Sequence, residues 1–297
     1  NGSHTQHTAD AFAQFDWNPR KKFNLIAGLR FDWFSEAKLS HFSPKLGLMY
    51  KLKNCSLRGS YAGGFRAPTL KEMYMNFYMG NIFMIYGNPD LKPESSHNFS
   101  LSAEYMKGRH NVTVTGFYNI VDDRITTAWN QALGGQVYTN MSRLQVAGVD
   151  ANASGRYPCG VSWRLSYAYT YEHIRKGEPM LSSTRPHTAT ARLAYDKDWK
   201  HYGLSVALSG RWLSKVTTDV YTEITSYEQT ERQTYPGYTI WKLSLTQRIW
   251  RGVNVTLAVD NLFDYRPRYY YSNSPSTTGT ACSVGLSLDM ERMFKKK

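Results

Sequence analysis

The side chains best placed for chemistry in this chain suit binding rather than bond breaking. Met73, Tyr74, Met75, Phe77, Tyr78, Met79, Phe83, Met84 and Tyr86 crowd the stretch from 65 to 94, with Arg66 at its head. Methionine is polarizable and adaptable, and aromatic rings add flat contact area, so the stretch suits a large planar or macrocyclic ligand. The alternative is that it packs on itself or on an accessory surface lipoprotein. A second cluster, Tyr265, Tyr269, Tyr270 and Tyr271, alternates with Arg266 and Arg268. Cations and rings together hold an anionic, ring-bearing ligand, or contact lipid headgroups at an interface.

Catalytic signatures are missing. The sequence has no Gly-x-Ser-x-Gly, no His-Glu-x-x-His and no Gly-x-x-x-x-Gly-Lys. His4, His7, His173, His187 and His201 are scattered without metal-ligand spacing, and no His falls between 42 and 96. The expectation is a binding protein that is not an enzyme and has neither a resident cofactor nor a metal site.

A stretch of about thirty residues without its own fold is functional or disordered unless rigid elements hold it. Those elements are read from a two-residue period. In 161–171 one face carries Val161, Trp163, Leu165, Tyr167, Tyr169 and Tyr171, and the other Ser162, Arg164, Ser166, Ala168 and Thr170. The same alternation runs through 23–33, 204–212 and 253–260. Thirteen strands follow: 9–17, 22–34, 41–51, 55–64, 95–107, 110–125, 137–156, 160–172, 186–196, 200–213, 237–250, 252–264 and 281–294. Their connections alternate. Short turns fall near 18–21, 52–54, 107–110, 157–160, 196–200 and 250–252. Longer loops fall near 35–40, 65–94, 127–136, 174–185, 214–236 and 265–281.

Strands of about ten residues exceed the five or six usual in soluble sheets and match the 9–11 of a tilted membrane-spanning strand. A meander with short turns on one rim and long loops on the other describes an all-β, antiparallel transmembrane β-barrel. The 41% hydrophobic content and mean hydropathy of −0.51 exclude a helical bundle, which needs runs of roughly 18 apolar residues. They leave the barrel open, because only alternate residues meet lipid. Trp17, Tyr50, Tyr105, Tyr157, Tyr195, Trp199 and Trp250 sit beside turns, as interfacial girdles do. A soluble Tyr-rich sandwich is the alternative. The net charge of +13 is spread singly along strands, apart from Lys295–Lys297. That spread fits a basic lining or an anionic membrane surface better than nucleic acid. The three cysteines, Cys55, Cys159 and Cys282, are an odd count and form no disulfide framework.

Four segments resemble one family. Phe65-Arg66-Ala67-Pro68, followed by Asn88-Pro89-Asp90-Leu91, is similar to the paired FRAP and NPDL boxes of TonB-dependent outer-membrane receptors. Asn261-Leu262-Phe263-Asp264 resembles that family's late-strand signature, and Gln145–Asp150 its mid-barrel segment, with Asp where Glu is usual. The resemblance implies a plugged barrel of about 22 strands. Of these the thirteen here are the last, with nine strands, the plug and the TonB box outside residues 1–297. An odd count cannot close by itself in this class.

The implied activity is import of a scarce metal chelate (cobalamin, siderophore or haem) across the bacterial outer membrane, energised by TonB. The partners implied are TonB, the chelate, outer-membrane lipid and a surface lipoprotein, with no nucleic acid. Asp32, Glu104, Arg30, Arg164, Arg192, Arg211 and Arg248 would face the lumen and contact the plug. Pro68 and Pro93 lie past strand ends, and Asn88-Pro89-Asp90 is turn chemistry, so the boxes also have a purely architectural reading beside ligand contact by Arg66. A passive porin or structural surface barrel is the rival: it shares the alternation but not the boxes.

Overall fold

The structure, a computed structural model, describes residues 3–80, 82–174, 184–199, 202–221, 230–250, 252–269, 277 and 279–290. His201, Tyr270, Tyr271, Phe294 and Lys295–Lys297 lie outside the described residues. In chain order the strands are β1 (Thr8–Arg20), β2 (Phe23–Phe34), β3 (Leu39–Lys51), β4 (Cys55–Arg66), β5 (Phe77–Met79), β6 (Phe83–Tyr86), β7 (Glu94–Lys107), β8 (His110–Asn130) and β9 (Gly135–Arg156). They continue as β10 (Val161–Ile174), β11 (His187–Asp198), β12 (Gly203–Leu213), β13 (Val216–Tyr221), β14 (Thr230–Tyr235), β15 (Tyr238–Trp250), β16 (Val253–Asp260) and β17 (Ala281–Leu288). One short helix, α1 (Leu70–Tyr74), lies between β4 and β5.

The wall follows chain order, β1-β2-β3-β4-β7-β8-β9-β10-β11-β12-β15-β16-β17, with each neighbouring pair antiparallel. These are the thirteen strands that the period predicts. Among the described residues β1 and β17 are the two open edges, so the wall is a partial barrel.

Its two faces differ as the alternation demands. Along one, large apolar side chains stand uncovered: Leu29, Phe42, Leu48, Phe99, Leu101, Val114, Leu165, Tyr167, Leu193, Leu257 and Leu286 are all exposed. On this face rings meet small neighbours. Tyr167 has Ala151 and Ala189 as its partners on either side, and Leu165 has Ala153 and Ala191. Among the described residues no second sheet covers this face, unlike a sandwich; an apolar area this large is held in contact with hydrocarbon. The opposite face is polar and cross-linked: Ser60 Oγ lies 2.7 Å from Ser100 Oγ, and Thr115 Oγ1 donates to Ser102 Oγ at 3.0 Å. No helix among the described residues is long and apolar enough to cross a membrane.

The loop rhythm needs two corrections. The connection expected over 35–40 is the tight turn 35–38, closed by Lys38 N–H donating to Ser35 O at 3.3 Å, with Lys38 at φ 47°. The loop expected over 127–136 is instead strand: β8 and β9 stay paired out to Asn130↔Gly135, closed by the 3-10 turn Gln131–Leu133. Valine, threonine and tryptophan there favour extension, so the ladder continues beyond the wall. Two hairpins were not anticipated. β5–β6 joins the wall through a parallel pairing of β6 with β9, and β13–β14 stands apart as its own two-stranded sheet. The strand expected over 252–264 stops at Asp260, because Asn261 turns the chain at φ 51°. All three cysteines are free.

Candidate functional site: a braced loop on the long-loop rim

One cation braces both ends of the stretch between the first two boxes. Arg66 ends β4 and donates through Nη1 to Glu72 Oε1 at 2.9 Å and Oε2 at 3.0 Å, and through Nη2 to Glu94 Oε1 at 2.8 Å. Glu94 opens β7, so the guanidinium ties the two stems of the loop to α1 between them. Glu94 Oε1 also accepts from Ile125 N–H at 2.7 Å, which carries the tie to β8.

Why α1 starts there is local. Thr69 is its N-cap and Glu72 the third helical residue, and each bonds the other's backbone in a reciprocal capping box. Burial pushes the Glu72 carboxyl up, but the Thr69 N–H and the Arg66 guanidinium outweigh it and hold it below the ordinary carboxylate range. Pro68 is fully buried ahead of the cap, where a missing N–H costs nothing. Phe65 stacks on His41 with ring centroids 4.3 Å apart, and Ala67 is half-buried.

The second box closes the far side. Asn88 N–H donates to Glu72 O at 2.9 Å, its Nδ2 to Tyr138 O at 3.0 Å, and its Oδ1 accepts from Asp90 N–H at 3.0 Å. Pro89 and Asp90 are exposed at the turn and Leu91 is buried. Asn140 of β9 then exchanges two 2.9 Å bonds with the Lys92 backbone. Gly87 has to be glycine: a Cβ there would lie 2.8 Å from the Met73 backbone.

The named ligand candidates divide between bracing and display. Met73 is buried, while Met84 and Tyr86 are half-buried, with Tyr86 OH donating to Leu133 O at 3.3 Å. Tyr74 stacks on His4 at 3.7 Å and bonds Glu36, whose carboxyl is held low by hydrogen bonds from His4 and then Tyr74. Met75, Tyr78 and Met79 are exposed together with Ile82, so apolar side chains stand uncovered along and beside the β5–β6 hairpin. Arg66 is engaged on both sides by carboxylates.

The last long loop forms a second braced group. Asn261, buried at a left-handed φ, accepts from Tyr265 N–H at 2.9 Å and donates to Tyr265 O at 2.8 Å and Thr277 Oγ1 at 3.2 Å. Leu262 N–H donates to Trp241 O at 2.8 Å, and Phe263 is exposed. Asp264 accepts from Thr280 N–H at 2.9 Å and Arg266 Nε at 3.2 Å, which hold its carboxyl low. Sequence reasoning missed Arg185. It is buried and donates to Ser214 O, to Pro236 O at 2.8 Å and to Tyr269 OH at 3.1 Å, joining three loops. Tyr265 stacks on Tyr238, and burial, then the Tyr269 hydroxyl, push its phenol up to about 12. Tyr270, the other candidate of this loop, lies outside the described residues.

Of the side chains expected to meet a plug, four are already paired within the chain. Arg30 lies 2.8 Å from Asp32, Glu104 2.7 Å from Arg58, and Arg248 2.7 Å from Asp198.

Comparison with known proteins agrees with this architecture. A model of the family described as TonB dependent receptor-like, beta-barrel, matches residues 1–262. The iron-regulated outer membrane virulence protein of Vibrio cholerae serotype O1 is 28% identical over 283 residues, covering 87% of this chain and 41% of that protein. Among solved structures, the siderophore receptor PirA from Acinetobacter baumannii superposes with a TM-score of 0.76 at 19% identity, over 95% of this chain and 46% of that one. The FrpB iron transporter from Neisseria meningitidis gives 0.75 at 19% identity, over 95% and 45%. The chain thus spans less than half the length of the relatives it matches.

Proposed function

We propose that this chain, which belongs to the TonB dependent receptor-like, beta-barrel family, is the C-terminal part of an outer-membrane importer that captures a metal chelate on its long-loop rim. The strands cross the outer membrane with the apolar face in lipid. The observation that carries the importer reading is the braced stretch 67–93. A passive porin needs an open mouth; here Arg66, Asn88 and Asn140 tie down the segments that flank a hairpin displaying Met75, Tyr78, Met79 and Ile82. A preorganised apolar platform favours affinity, because little ordering is left to lose on binding.

The two open edges support further strands in the complete protein, since hydrocarbon tolerates no unpaired ladder. In this reading those strands, a plug and a TonB-contacting segment belong to the remainder of the receptor. Among chelates, a ferric siderophore is favoured over cobalamin and haem. Two of the similar folds are siderophore receptors, and no His lies between the boxes to ligate haem.

The test is uptake of labelled ferric catecholate, haem and cobalamin by cells carrying the full-length gene, with and without TonB. Energised uptake of one chelate that vanishes without TonB is expected. Uptake that ignores TonB would move the chain to the porin reading.

A further inference from the structure

Arginines are ion-paired on one part of the polar face and unpaired on another. In β2 and β4 Arg30 pairs with Asp32 and Asp10, and Arg58 with Glu104, while Lys45 of β3 has no carboxylate within 4.0 Å among the described residues. Farther along the wall, Arg109, Arg156, Arg164, Arg192 and Arg211 have no carboxylate within 4.0 Å among the described residues. Arg164 is moreover the direct cross-strand partner of Arg192, an arrangement in which like charges repel. A wall gains nothing by itself from that pairing; an anion between the two would.

The register gives this group a direction. One cross-strand row reads Ser154, Arg164, Arg192, Ser209, Lys242. Its members do not sit at one height. Arg164 is near the short-turn end of β10, Arg192 is mid-strand in β11, and Lys242 is near the long-loop end of β15. Arg211 stands one step above the row toward the long loops, and Arg156 one step below it. Two adjoining recesses follow the same line. The upper, of about 620 Å³, is lined by Arg164, Arg192, Arg211 and by Lys242, which is already paired at 2.7 Å with Asp260 of the same lining; the lower, of about 290 Å³, by Arg109, Arg156, Arg164 and Arg192. The cations therefore form a diagonal that runs from one rim of the wall to the other.

We propose that this diagonal is the path along which a chelate of net negative charge crosses the barrel interior, passed between guanidinium groups from the long-loop mouth to the short-turn rim. It rests on the importer reading and adds the sign of the cargo and the residues that steer it. A single anchor for a fixed acidic partner would need one compact cluster. A staircase of exposed arginines offers weak, repeated sites instead, which is what passage requires: favourable enough to enter, weak enough to leave. The hydroxyl beside the central step, Ser209 Oγ accepting from Arg192 Nη1 at 3.1 Å, leaves the rest of that guanidinium free for forked contact with carboxylate, catecholate or phosphate oxygens.

The test uses the full-length receptor carrying R164Q and R192Q together, with R164K and R192K as the charge-keeping control. Two probes are compared, an anionic ferric tris-catecholate and a neutral ferric trihydroxamate. The expected result is that energised uptake of the catecholate falls about tenfold or more, in line with steering by a charged cleft. Capture at the cell surface and melting temperature stay unchanged, and the lysine pair restores most of the rate. Unchanged catecholate uptake in the glutamine pair overturns the proposal. So does a clear drop in melting temperature, which would assign the arginines to acidic groups elsewhere in the receptor. A wild-type receptor that imports only the neutral probe overturns this inference alone, whereas one that imports no chelate with TonB overturns the importer reading beneath it.

Discussion

Replacing Arg66 with alanine separates the two roles open to that side chain. The substitution removes three charge-assisted hydrogen bonds and leaves Glu72 and Glu94, 15% and 19% exposed, facing each other without a cation. Unscreened, bonds to charged groups are each worth about 1.5–3 kcal/mol. Arg66 itself is 40% exposed, so solvent screening cuts the sum to about 2–3 kcal/mol. That loss falls on the loop, because the wall strands keep their own ladders. Amide exchange in the full receptor reads it directly. Protection at Asn88 and Ile125, whose N–H groups bond Glu72 O and the Glu94 carboxylate, drops about 30- to 140-fold, at 1.4 kcal/mol per tenfold. Amides in mid-β4 are unaffected. R66K, which keeps charge but loses the fork, falls between. If R66A leaves those amides protected and lowers only chelate binding, the bracing argument is wrong and Arg66 is a ligand contact.

Other outcomes follow from the same geometry. Asn261→Ala loses three side-chain bonds at a left-handed position and costs about 2–4 kcal/mol, read as a lower melting temperature; N261G recovers part of it. Leu101→Arg, on the exposed apolar face in mid-β7, destabilises by about 2–4 kcal/mol when unfolding is followed in lipid, while S102R beside it on the polar face is tolerated. Glu72 is held below its ordinary carboxylate range, so its contribution is complete above the unfolded value of about 4.3 and is lost as pH falls through the folded value. Protease cutting within 67–93 therefore rises in acid, and E72Q abolishes the pH dependence. Gly148→Ala places a methyl group against the Tyr169 carbonyl and the Phe117 ring, and the variant resists less heat before unfolding in detergent.

The wall was legible because a two-residue period repeated over ten or more residues per strand is too long for the strands usual in soluble sheets and fits membrane-spanning ones. Tyr167 between Ala151 and Ala189 is such a position: the alternation sets its face, and the register then sets its neighbours. The β5–β6 hairpin escaped notice because Phe77–Met79 and Phe83–Tyr86 are too short to establish a period. The extension of β8 and β9 past the wall was hidden by the assumption that a rim loop begins where the wall stops. Arg185 gave no local signal at all, since its partners lie 29, 51 and 84 residues away. The capping box Thr69-x-x-Glu72 was readable and would have placed α1.

Sidedness tests the account most directly. In a receptor whose native cysteines are replaced, a single cysteine at Tyr78, on the hairpin tip, or at Lys53, in the turn between β3 and β4, is treated on intact cells with a membrane-impermeant maleimide. Labelling at position 78 and none at 53 until the outer membrane is broken is the predicted result. Labelling at 53 on intact cells, or protection at 78, contradicts it.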